Sequence, residues 1–389
     1  MREISFNDIT LRDGEQSPGV HFFPDEKVAI AEKFLMLGLP VIEAGFAAAS
    51  ESDFEGVRRV AELAGDNKDT VVCSMCRAVR NDIEKAFEAL KPAAKARIQV
   101  VIATSDLHME HKLRMSRAEV LEIITDTVGF ARTLVDQVEF AAEDATRSNL
   151  QFLHKAFETA IKAGACVIEI PDTVGYATPI EYGKIVKGVI DRVPGADKIS
   201  VATHCHDDLG LAVANTLSGL ANGASQAECT INGIGERAGN ASFEEVCLAI
   251  RTRPEQFGVT HGIHTKFIKE TSELVSKLSG MAVAPNKAIV GKNAFLHESG
   301  IHQHGMLCNA ATYQIISPED VGVNNFGLIL GKLSGKHSLR QKLDDWGYDL
   351  DGKDFERVYK DFKTMAAHKK VLVDDDIRAL ISKTAGNSS

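Results

Sequence analysis

Short runs of apolar and β-branched residues alternate along the chain with longer segments of helical spacing. Eight of the short runs fit β-strands, at residues 4–11, 39–45, 70–76, 97–104, 137–143, 166–172, 199–205 and 226–232. Amphipathic segments lie between them, among them 24–38, 116–135 and 178–191. Pro24 and Pro179 suit helix starts, and Gly38 suits a helix end. A strand and a helix that repeat eight times predict an α/β fold, a closed (β/α)8 TIM barrel of parallel strands.

The pattern changes after about residue 252. Four further segments follow: a helix at 265–279, a Gly- and His-rich stretch at 291–305, a segment rich in Gly, Lys and Ser at 312–340, and a charged helical end at 354–383. The final KTAGNSS is expected to be a frayed tail. We therefore expect a barrel over residues 1–262 and a mainly helical accessory region over residues 263–389.

Composition and charge narrow the class of protein. The chain has 389 residues, of which 44% are hydrophobic and 25% charged, as is normal for a globular protein with a large core. Its formal net charge is −10 without any Lys/Arg block, which disfavours nucleic acid and acidic membranes as partners. The N-terminus has no signal-peptide pattern, and no run of about 18 apolar residues follows. We expect a cytoplasmic protein with no membrane partner, in which local groups bind any anionic substrate.

The seven cysteines are odd in number and spread over the chain, which does not fit a disulfide framework and suits a reducing compartment. Cys73 and Cys76 have the C-x-x-C spacing of a redox or zinc pair, but they fall in the strand-like stretch TVVCSMC. We expect them to be two buried small hydrophobic residues.

Polar residues at the C-terminal ends of the strands come first as functional candidates, because barrel enzymes carry their active sites there. Four strands end in such residues, at 10–16, 139–144, 171–173 and 203–208. His204 and His206 lie two apart on the seventh strand, so their side chains share a face and can hold one metal ion. The alternative is two histidines hydrogen-bonded in the barrel rim. Asp13, at the end of the first strand, favours the metal site, because strands one and seven lie close in a closed barrel.

Two carboxylates follow the histidine pair. Asp207 and Asp208 could orient the ligands or cap the next helix, and we favour the cap. A site of Asp13, His204, His206 and a side-chain amide suits Mg²⁺, Mn²⁺ or Zn²⁺, and the sequence does not choose among them.

Two other motifs give weaker evidence of function. His302 and His304 form a second H-x-H in a Gly-punctuated segment, where a spacing of two does not put both rings on one face. A substrate- or cofactor-contacting histidine is the favoured interpretation there. The stretch 331–337 (GKLSGKH) lacks the spacing and the Ser or Thr of a phosphate loop, so we reject nucleotide hydrolysis. No strand-associated G-x-G-x-x-G supports a nicotinamide cofactor.

Longer motifs identify a family. Three stretches, 7–19 (NDITLRDGEQSPG), 203–216 (THCHDDLGLAVANT) and 228–240 (ECTINGIGERAGN), resemble the acyl-CoA-dependent 2-keto acid synthases of the metal-dependent barrel superfamily. Within that family, 102–113 (IATSDLHMEHKL) and 287–302 (KAIVGKNAFLHESGIH) are most similar to the 2-isopropylmalate synthases. The resemblance covers nearly the whole chain.

The resemblance implies roles for individual residues. The implied metal ligands are Asp13, His204, His206 and Asn240. Arg12 would contact the keto oxygen and Thr173 the substrate carboxylate. Glu143 and His302 would take part in acid/base chemistry, with Tyr313 nearby. Because family members are dimers in which the accessory region reaches the partner's barrel, His302 and Tyr313 are expected to serve the neighbouring subunit's site of a homodimer.

The implied reaction condenses acetyl-CoA with a 2-keto acid, 2-oxoisovalerate being favoured, to 2-isopropylmalate and CoA, as in leucine biosynthesis. The metal, Mn²⁺, Mg²⁺ or Zn²⁺, acts as a Lewis acid on the carbonyl, and Arg12 stabilises the developing alkoxide. A base removes a methyl proton from acetyl-CoA, the enolate attacks the keto carbon, and thioester hydrolysis releases CoA. K⁺ is a candidate activator.

Three residues depart from the 2-isopropylmalate synthase pattern. Ala47 stands in place of Pro, Gln99 in place of His and Ala141 in place of Ser. We expect all three near the keto acid pocket, so the accepted side chain stays open. Long family members continue into a leucine-binding regulatory domain where this chain stops, so leucine feedback through such a domain is not expected.

Other functions remain to be weighed. Homocitrate and citramalate synthases share the reaction and differ in the keto acid. Hydroxymethylglutaryl-CoA lyases cleave a C–C bond on the same barrel, but they carry a catalytic Cys just before the ligand Asn, and 233–240 (GIGERAGN) has none. A non-catalytic sensor of acyl-CoA or keto acid is disfavoured, because every proposed ligand is present.

Overall fold

The computed structural model describes residues 1–323, 327–370 and 372–385. The chain divides into two compact units, Met1–Val283 and Ala284–Ser389. Within the described ranges, no helix is long and apolar enough to cross a membrane.

The first unit contains a closed barrel of eight parallel strands. The strands are β1 (Ser5–Asp8), β2 (Val41–Gly45), β3 (Val71–Arg77), β4 (Ala96–Ala103), β5 (Gln137–Glu143), β6 (Val167–Asp172), β7 (Ser200–Cys205) and β8 (Gln226–Cys229). Each strand pairs with the next, and β8 closes the barrel onto β1 with Gln226 opposite Ser5. All eight predicted strands are present, so the predicted fold class is confirmed.

Nine helices of ten residues or more lie in this unit. They are α1 (Pro24–Leu37), α2 (Glu51–Leu63), α3 (Arg80–Leu90), α4 (Arg117–Leu134), α5 (Leu150–Ala163), α6 (Pro179–Arg192), α7 (Ala212–Ala221), α8 (Phe243–Thr252) and α9 (Ile268–Ser279). Shorter helical turns are Gly14–Gln16, Asp106–His108, Met109–Leu113, Ala145–Arg147, Ala196–Lys198, Ile231–Gly233, Pro254–Phe257 and Thr265–Phe267. A short strand, Arg2–Glu3, pairs with Val259–Thr260.

Local sequence explains where the helices begin and end. Pro24 opens α1, where its missing N–H costs nothing, and Gly38 ends it in the left-handed region at φ 72°. The α6 helix begins with a reciprocal cap, in which Thr178 and Glu181 each accept a hydrogen bond from the other's backbone N–H. These are the helix boundaries that the sequence predicted.

The inside of the barrel is unusually polar. Glutamates on four strands are buried there: Glu43, Glu139, Glu169 and Glu228. Hydrogen bonds cross the barrel between strands that are not neighbours, since Gln226 Nε2 donates to Glu139 Oε1 at 3.1 Å. Arg97 Nη1 also donates to Glu139, at 3.0 Å. Burial and the nearby Glu228 carboxylate raise the pKa of Glu139 to about 8, against the opposing charge of Arg97. Buried charges of this kind persist only with partners, so this network positions side chains for the site above it.

The first unit extends beyond residue 262, where the sequence led us to expect the barrel to end. Helix α9 packs against α1 and against the turn that follows β8. Asn232 Nδ2 in that turn donates to Ser272 O of α9 at 3.0 Å. The helix therefore supports a loop at the C-terminal end of the barrel.

The second unit is mainly helical. Its helices are α10 (Gly300–Cys308), α11 (Lys336–Asp345), α12 (Gly352–His368) and α13 (Asp374–Ala385), and Leu296–His297 pairs with Gly327–Leu328. Leu339, Phe355 and Phe362 belong to its own apolar core. Residues 383–385 of the expected tail belong to α13, and 386–389 lie outside the described residues. Part of the expected segment 312–340, residues 324–326, also lies outside them.

Candidate active site

A cavity of about 560 Å³ lies at the C-terminal ends of the barrel strands. Eight of the residues singled out from the sequence line it: Arg12, Asp13, Gln99, Ala141, Glu143, Thr173, His204 and His206. Active sites of this fold occupy this end of the barrel. The structure thus brings together, on or just after five strands, residues that are far apart in sequence.

Three of these side chains converge on one point. The Nε2 atoms of His204 and His206 are 3.2 Å apart. Asp13 Oδ2 lies 3.8 Å from the first nitrogen and 3.9 Å from the second. Two imidazole nitrogens and a carboxylate oxygen that face each other in a buried place form a group able to hold a metal ion.

Asn240 adds a fourth donor beside this group. It pairs with His206 through an isolated backbone bridge, and its Nδ2 donates to Asp13 Oδ1 at 2.8 Å. Its Oδ1 is buried and has no hydrogen-bond partner. A buried carbonyl oxygen without a donor costs free energy, which a cation at this position would offset. We call Asp13, His204, His206 and Asn240 the ligand set; its mixed oxygen and nitrogen donors fit a divalent metal ion.

A tight turn presents Arg12 and Asp13 to the cavity. Strand β1 ends at Asp8 rather than at residue 11, because the Asp8 carboxylate accepts a hydrogen bond from Thr10 N at 2.9 Å. The backbone N–H of Asp13 then donates to Ile9 O at 2.9 Å. The turn brings both side chains over the end of the barrel.

Arg12 links the ligand set to the buried network. Its Nη1 donates to Asp13 Oδ2 at 2.6 Å and its Nε to Glu43 Oε1 at 2.7 Å. Burial alone would raise the pKa of Asp13, but the positive charges of Arg12 and His204 hold it well below its usual range. Burial and the neighbouring His204 lower the pKa of His206 to about 4. The carboxylate is therefore charged and the His206 ring neutral, as metal ligands must be. Burial lowers the pKa of His204, but its hydrogen bonds to Glu169 and Glu228 and the Asp13 charge raise it further, so a metal ion bound at Nε2 would replace a proton on that ring.

Two buried glutamates orient His204 from behind. Its Nδ1 lies 3.0 Å from Glu169 Oε1 and 3.1 Å from Glu228 Oε2. With Nε2 turned to the ligand set, Nδ1 is the atom that donates to a carboxylate. The sequence analysis missed both residues, although a single glutamate inside an apolar strand was a usable signal.

Two other residues predicted from the sequence, Thr173 and Glu143, also line the cavity. Thr173 Oγ1 accepts a hydrogen bond from Asp144 N at 2.9 Å, so its own hydroxyl hydrogen is available to a ligand. Glu143 is held by Lys112, whose Nζ is 2.6 Å from Oε1, and His108 Nδ1 lies 3.4 Å from the same oxygen without a hydrogen bond. Lys112 also lines the cavity, and it was not identified from the sequence.

The accessory-region candidates lie in the second unit. The rings of His302 and Tyr313 are stacked with centroids 4.1 Å apart, and His297 lies 6.0 Å from His302. His304 on the same helix contacts His337 instead, at 5.1 Å. A helix puts residues two apart on different faces, so the expectation that this H-x-H does not share a face is confirmed.

The structure also tests the expectations for the two cysteines of the C-x-x-C motif and for the two aspartates that follow His206. Cys73 and Cys76 are fully buried, as predicted. Asp207 accepts a hydrogen bond from Ala212 N at the start of α7, which confirms a cap, whereas Asp208 binds Arg237 at 2.7 Å instead.

Of the three residues that depart from the family pattern, Gln99 and Ala141 line the cavity, and Ala47 is not among the described residues that do. Ala47 is buried two residues after the end of β2, with its backbone N–H directed to Ser74 Oγ at 3.5 Å. Ser74 precedes Met75, which lines the cavity.

Comparisons with known proteins identify the family of this chain. An HMGL-like family model matches residues 3–275, and a model described as homocitrate synthase post-HMGL domain-like matches residues 289–370. The 2-isopropylmalate synthase of Aquifex aeolicus is 52% identical over 375 residues, covering 96% of this chain and 72% of that protein. 2-Isopropylmalate synthase 1 of Caldanaerobacter subterraneus subsp. tengcongensis is 50% identical over 384 residues, covering 99% and 96%. A crystal structure of the Bacillus subtilis HMG-CoA lyase shares the fold with a TM-score of 0.62 at 17% identity, covering 73% of this chain and 96% of that one. Since half of the residues are identical to these synthases over almost the full length, the chain belongs to the 2-isopropylmalate synthase family.

Proposed function

We propose that this protein is an acyltransferase that condenses the acetyl group of acetyl-CoA with 2-oxoisovalerate, in a divalent-metal-dependent reaction that yields 2-isopropylmalate and CoA. The single observation that carries the proposal is the ligand set with its orphaned Asn240 Oδ1, next to Arg12 in the same cavity. The close similarity to named 2-isopropylmalate synthases supports the choice of substrates.

The ligand set would hold the metal ion. When bound, a divalent ion polarises a keto carbonyl and fixes the keto acid through its oxygen atoms. Asp13 is kept charged by Arg12, and His204 is kept in one orientation by its two carboxylate partners. These contacts leave the donors preorganised before substrate arrives.

Arg12 is proposed to stabilise the oxygen that becomes an alkoxide. Its guanidinium is fixed by Asp13 and Glu43, and burial lowers its pKa less than those two carboxylates raise it, so it stays charged. The N–H hydrogens of Arg12 that do not bind Asp13 or Glu43 can donate to a substrate oxygen. A fixed cation in a buried site stabilises developing charge more than water does.

Thr173 is proposed to bind the carboxylate of the keto acid. Its hydroxyl oxygen already accepts from Asp144 N, so its hydrogen points away from that contact toward an acceptor. Gln99 and Ala141 line the part of the cavity assigned to the keto acid side chain.

Proton transfer is proposed to involve Glu143. The residue lines the cavity, and its carboxylate is held in place by Lys112 Nζ, which donates to both oxygens at 2.6 and 2.8 Å. In line with the family resemblance, we propose that a homodimer completes each site with His302 and Tyr313 of the neighbouring subunit. A positioned base typically contributes about 10²–10⁴-fold to such a step.

The test is release of free thiol from acetyl-CoA with Mg²⁺, Mn²⁺ or Zn²⁺, across 2-oxoisovalerate, pyruvate, 2-oxobutyrate and 2-oxoglutarate, with a chelator as control. Metal-dependent release that is fastest with 2-oxoisovalerate is expected. Preference for 2-oxoglutarate or pyruvate would move the protein to the homocitrate or citramalate synthase reaction. Absence of release with every keto acid would overturn the proposal.

A further inference from the structure

A hydrogen-bonded pair, Gln99 and Glu169, lies on the floor of the cavity. Gln99 precedes Val101 and Ala103 on β4, and all three line the cavity, so Gln99 is the deepest of them. Its Nε2 donates to Glu169 Oε2 across the barrel at 2.7 Å. Glu169 also lies 3.0 Å from His204 Nδ1. Both residues of the pair line the same cavity as Asp13, His204 and His206, so a substrate held at the ligand set would share the cavity with this pair.

The floor presents oxygen acceptors to a substrate. Gln99 is fully buried, and its Oε1 has no hydrogen-bond partner. Both oxygens of Glu169 already accept hydrogen bonds, one from Gln99 and one from His204. A second carboxylate placed here would meet acceptors rather than donors.

No spare cation compensates for these acceptors among the described residues that line the cavity. Its lysine and arginine side chains each have a carboxylate partner: Arg12 with Asp13 and Glu43, Arg77 with Asp82, Lys112 with Glu143, and Arg237 with Asp208. A carboxylate at the far end of a keto acid would therefore share its cation with a protein carboxylate that already partly neutralises it.

The walls above the pair are apolar. Met75, Val101, Ala141 and Pro171 come from four neighbouring strands and line the same cavity. Aliphatic side chains gain about 0.8 kcal/mol per buried CH₂ group in such surroundings. The cavity therefore suits an uncharged aliphatic group next to the ligand set.

We infer that Glu169, held by Gln99, restricts this site to 2-keto acids whose side chain carries no charge and rejects those with a second carboxylate. The inference rests on the proposed function, because it assumes that a keto acid binds at the ligand set. A pocket discriminates as much by what it repels as by what it attracts, and like charges placed together cost several kcal/mol. Glu169 is thus a specificity-determining residue, and it also positions His204.

The test compares 2-oxoglutarate with 2-oxohexanoate, which is similar in length and has an uncharged end. The ratio of their kcat/KM values is measured on the wild-type protein and on Glu169→Gln. A ratio on one protein sample is independent of how much of the sample carries metal. We expect the wild type to favour 2-oxohexanoate and Glu169→Gln to raise the relative use of 2-oxoglutarate by roughly tenfold or more.

Glu228→Gln is the matched control. Glu228 contacts the same His204 nitrogen at 3.1 Å and is equally buried, but it is not among the described residues that line the cavity. If Glu169 acted only by orienting His204, both variants would lower the two kcat/KM values together and leave the ratio unchanged. We expect that result for Glu228→Gln alone.

Calorimetric titration of each keto acid into the Mn²⁺-loaded protein gives a readout that does not depend on turnover. Equal binding of the two acids by the wild type, or an unchanged ratio in Glu169→Gln, would overturn the inference. Equal binding of the two acids by the wild type would overturn the inference even where the variant does not fold. Failure of the proposed function looks different, because CoA release is then absent with every keto acid while the binding preference is still measurable.

Discussion

At the level of single residues, Asp13 contacts both Arg12 and the other three members of the ligand set. Its Oδ2 accepts from Arg12 at 2.6 Å and faces His204 and His206, and its Oδ1 accepts from Asn240. The charge of this carboxylate should therefore matter more for metal binding than for folding.

Asp13→Asn tests that expectation. The amide keeps the size of the side chain but removes the negative charge, so metal affinity should fall by about 10²-fold or more and CoA release should be lost. Calorimetric metal titration and circular dichroism measure binding and fold. Retained activity at saturating metal would show that Asp13 is not a ligand.

Asp8 is a buried carboxylate with a structural role. Its Oδ1 caps Thr10 N, while its Oδ2 is buried without a partner. Burial raises the pKa of Asp8 to about 7, and the nearby Glu244 and Glu43 add to this effect. The folded protein thus keeps a proton there that the unfolded chain loses near pH 4.

The raised pKa of Asp8 makes the free energy of unfolding depend on pH. Between about pH 4 and pH 7 the folded state binds more protons at Asp8, so this group makes the free energy of unfolding fall as pH rises. Asp8→Asn keeps the acceptor for Thr10 N and removes the titration. The difference in free energy of unfolding between this variant and the wild type should be larger at pH 8 than at pH 5, by up to roughly 3 kcal/mol. Urea unfolding at both pH values measures this, and an equal difference at both would contradict it.

At the level of elements, the loop after β8 packs tightly against the ligand set. A Cβ at Gly235 would lie 2.1 Å from Asn240 Nδ2 and 3.0 Å from Asp13 Oδ1. The close approach of this backbone keeps both side chains in place. Helix α9 supports the preceding turn through the Asn232 to Ser272 hydrogen bond.

Gly235→Ala should therefore weaken metal binding by about tenfold or more, because Asn240 and Asp13 must shift. The barrel should stay folded, since its strands are untouched. Gly188→Ala is the control, because a Cβ there meets nothing within 4 Å and alanine favours the α6 helix by roughly 0.5–1 kcal/mol. Equal metal affinity in both variants would argue against a positioning role for this loop.

At the level of the whole molecule, the proposed functional residues come from both compact units. All four members of the ligand set, with Arg12, belong to Met1–Val283, whereas His302 and Tyr313 belong to Ala284–Ser389. The second unit has its own apolar core around Leu339 and Phe362. We expect the metal site to form without the second unit.

A fragment of residues 1–283 tests this division. It should fold and bind the divalent metal ion with an affinity close to that of the whole protein, and it should lose CoA release by about 10²-fold or more, the lower range for a missing acid/base group. Metal titration and the thiol assay measure the two properties. Full turnover by the fragment would remove His302 and Tyr313 from the proposed mechanism.

The sequence by itself determined the fold and most of the proposed metal site. The alternation of strand and helix periods follows from local geometry, and β-strand spacing puts His204 and His206 on one face. Caps such as Thr178 with Glu181 depend on residues three apart, so the sequence shows them directly. Asp13 followed from the order of strands in a closed barrel.

Only the tertiary structure decided which polar side chains meet inside the barrel. Gln99 and Glu169 are 70 residues apart, and Arg12 and Glu43 are 31 apart, and no local pattern ties either pair. Closure of the barrel fixes these contacts, because strand register and side-chain direction combine over the whole sheet. For the same reason the sequence could not show that Gln99 and Ala141 line the cavity whereas Ala47, close to a strand end in sequence, is not among the described residues that do.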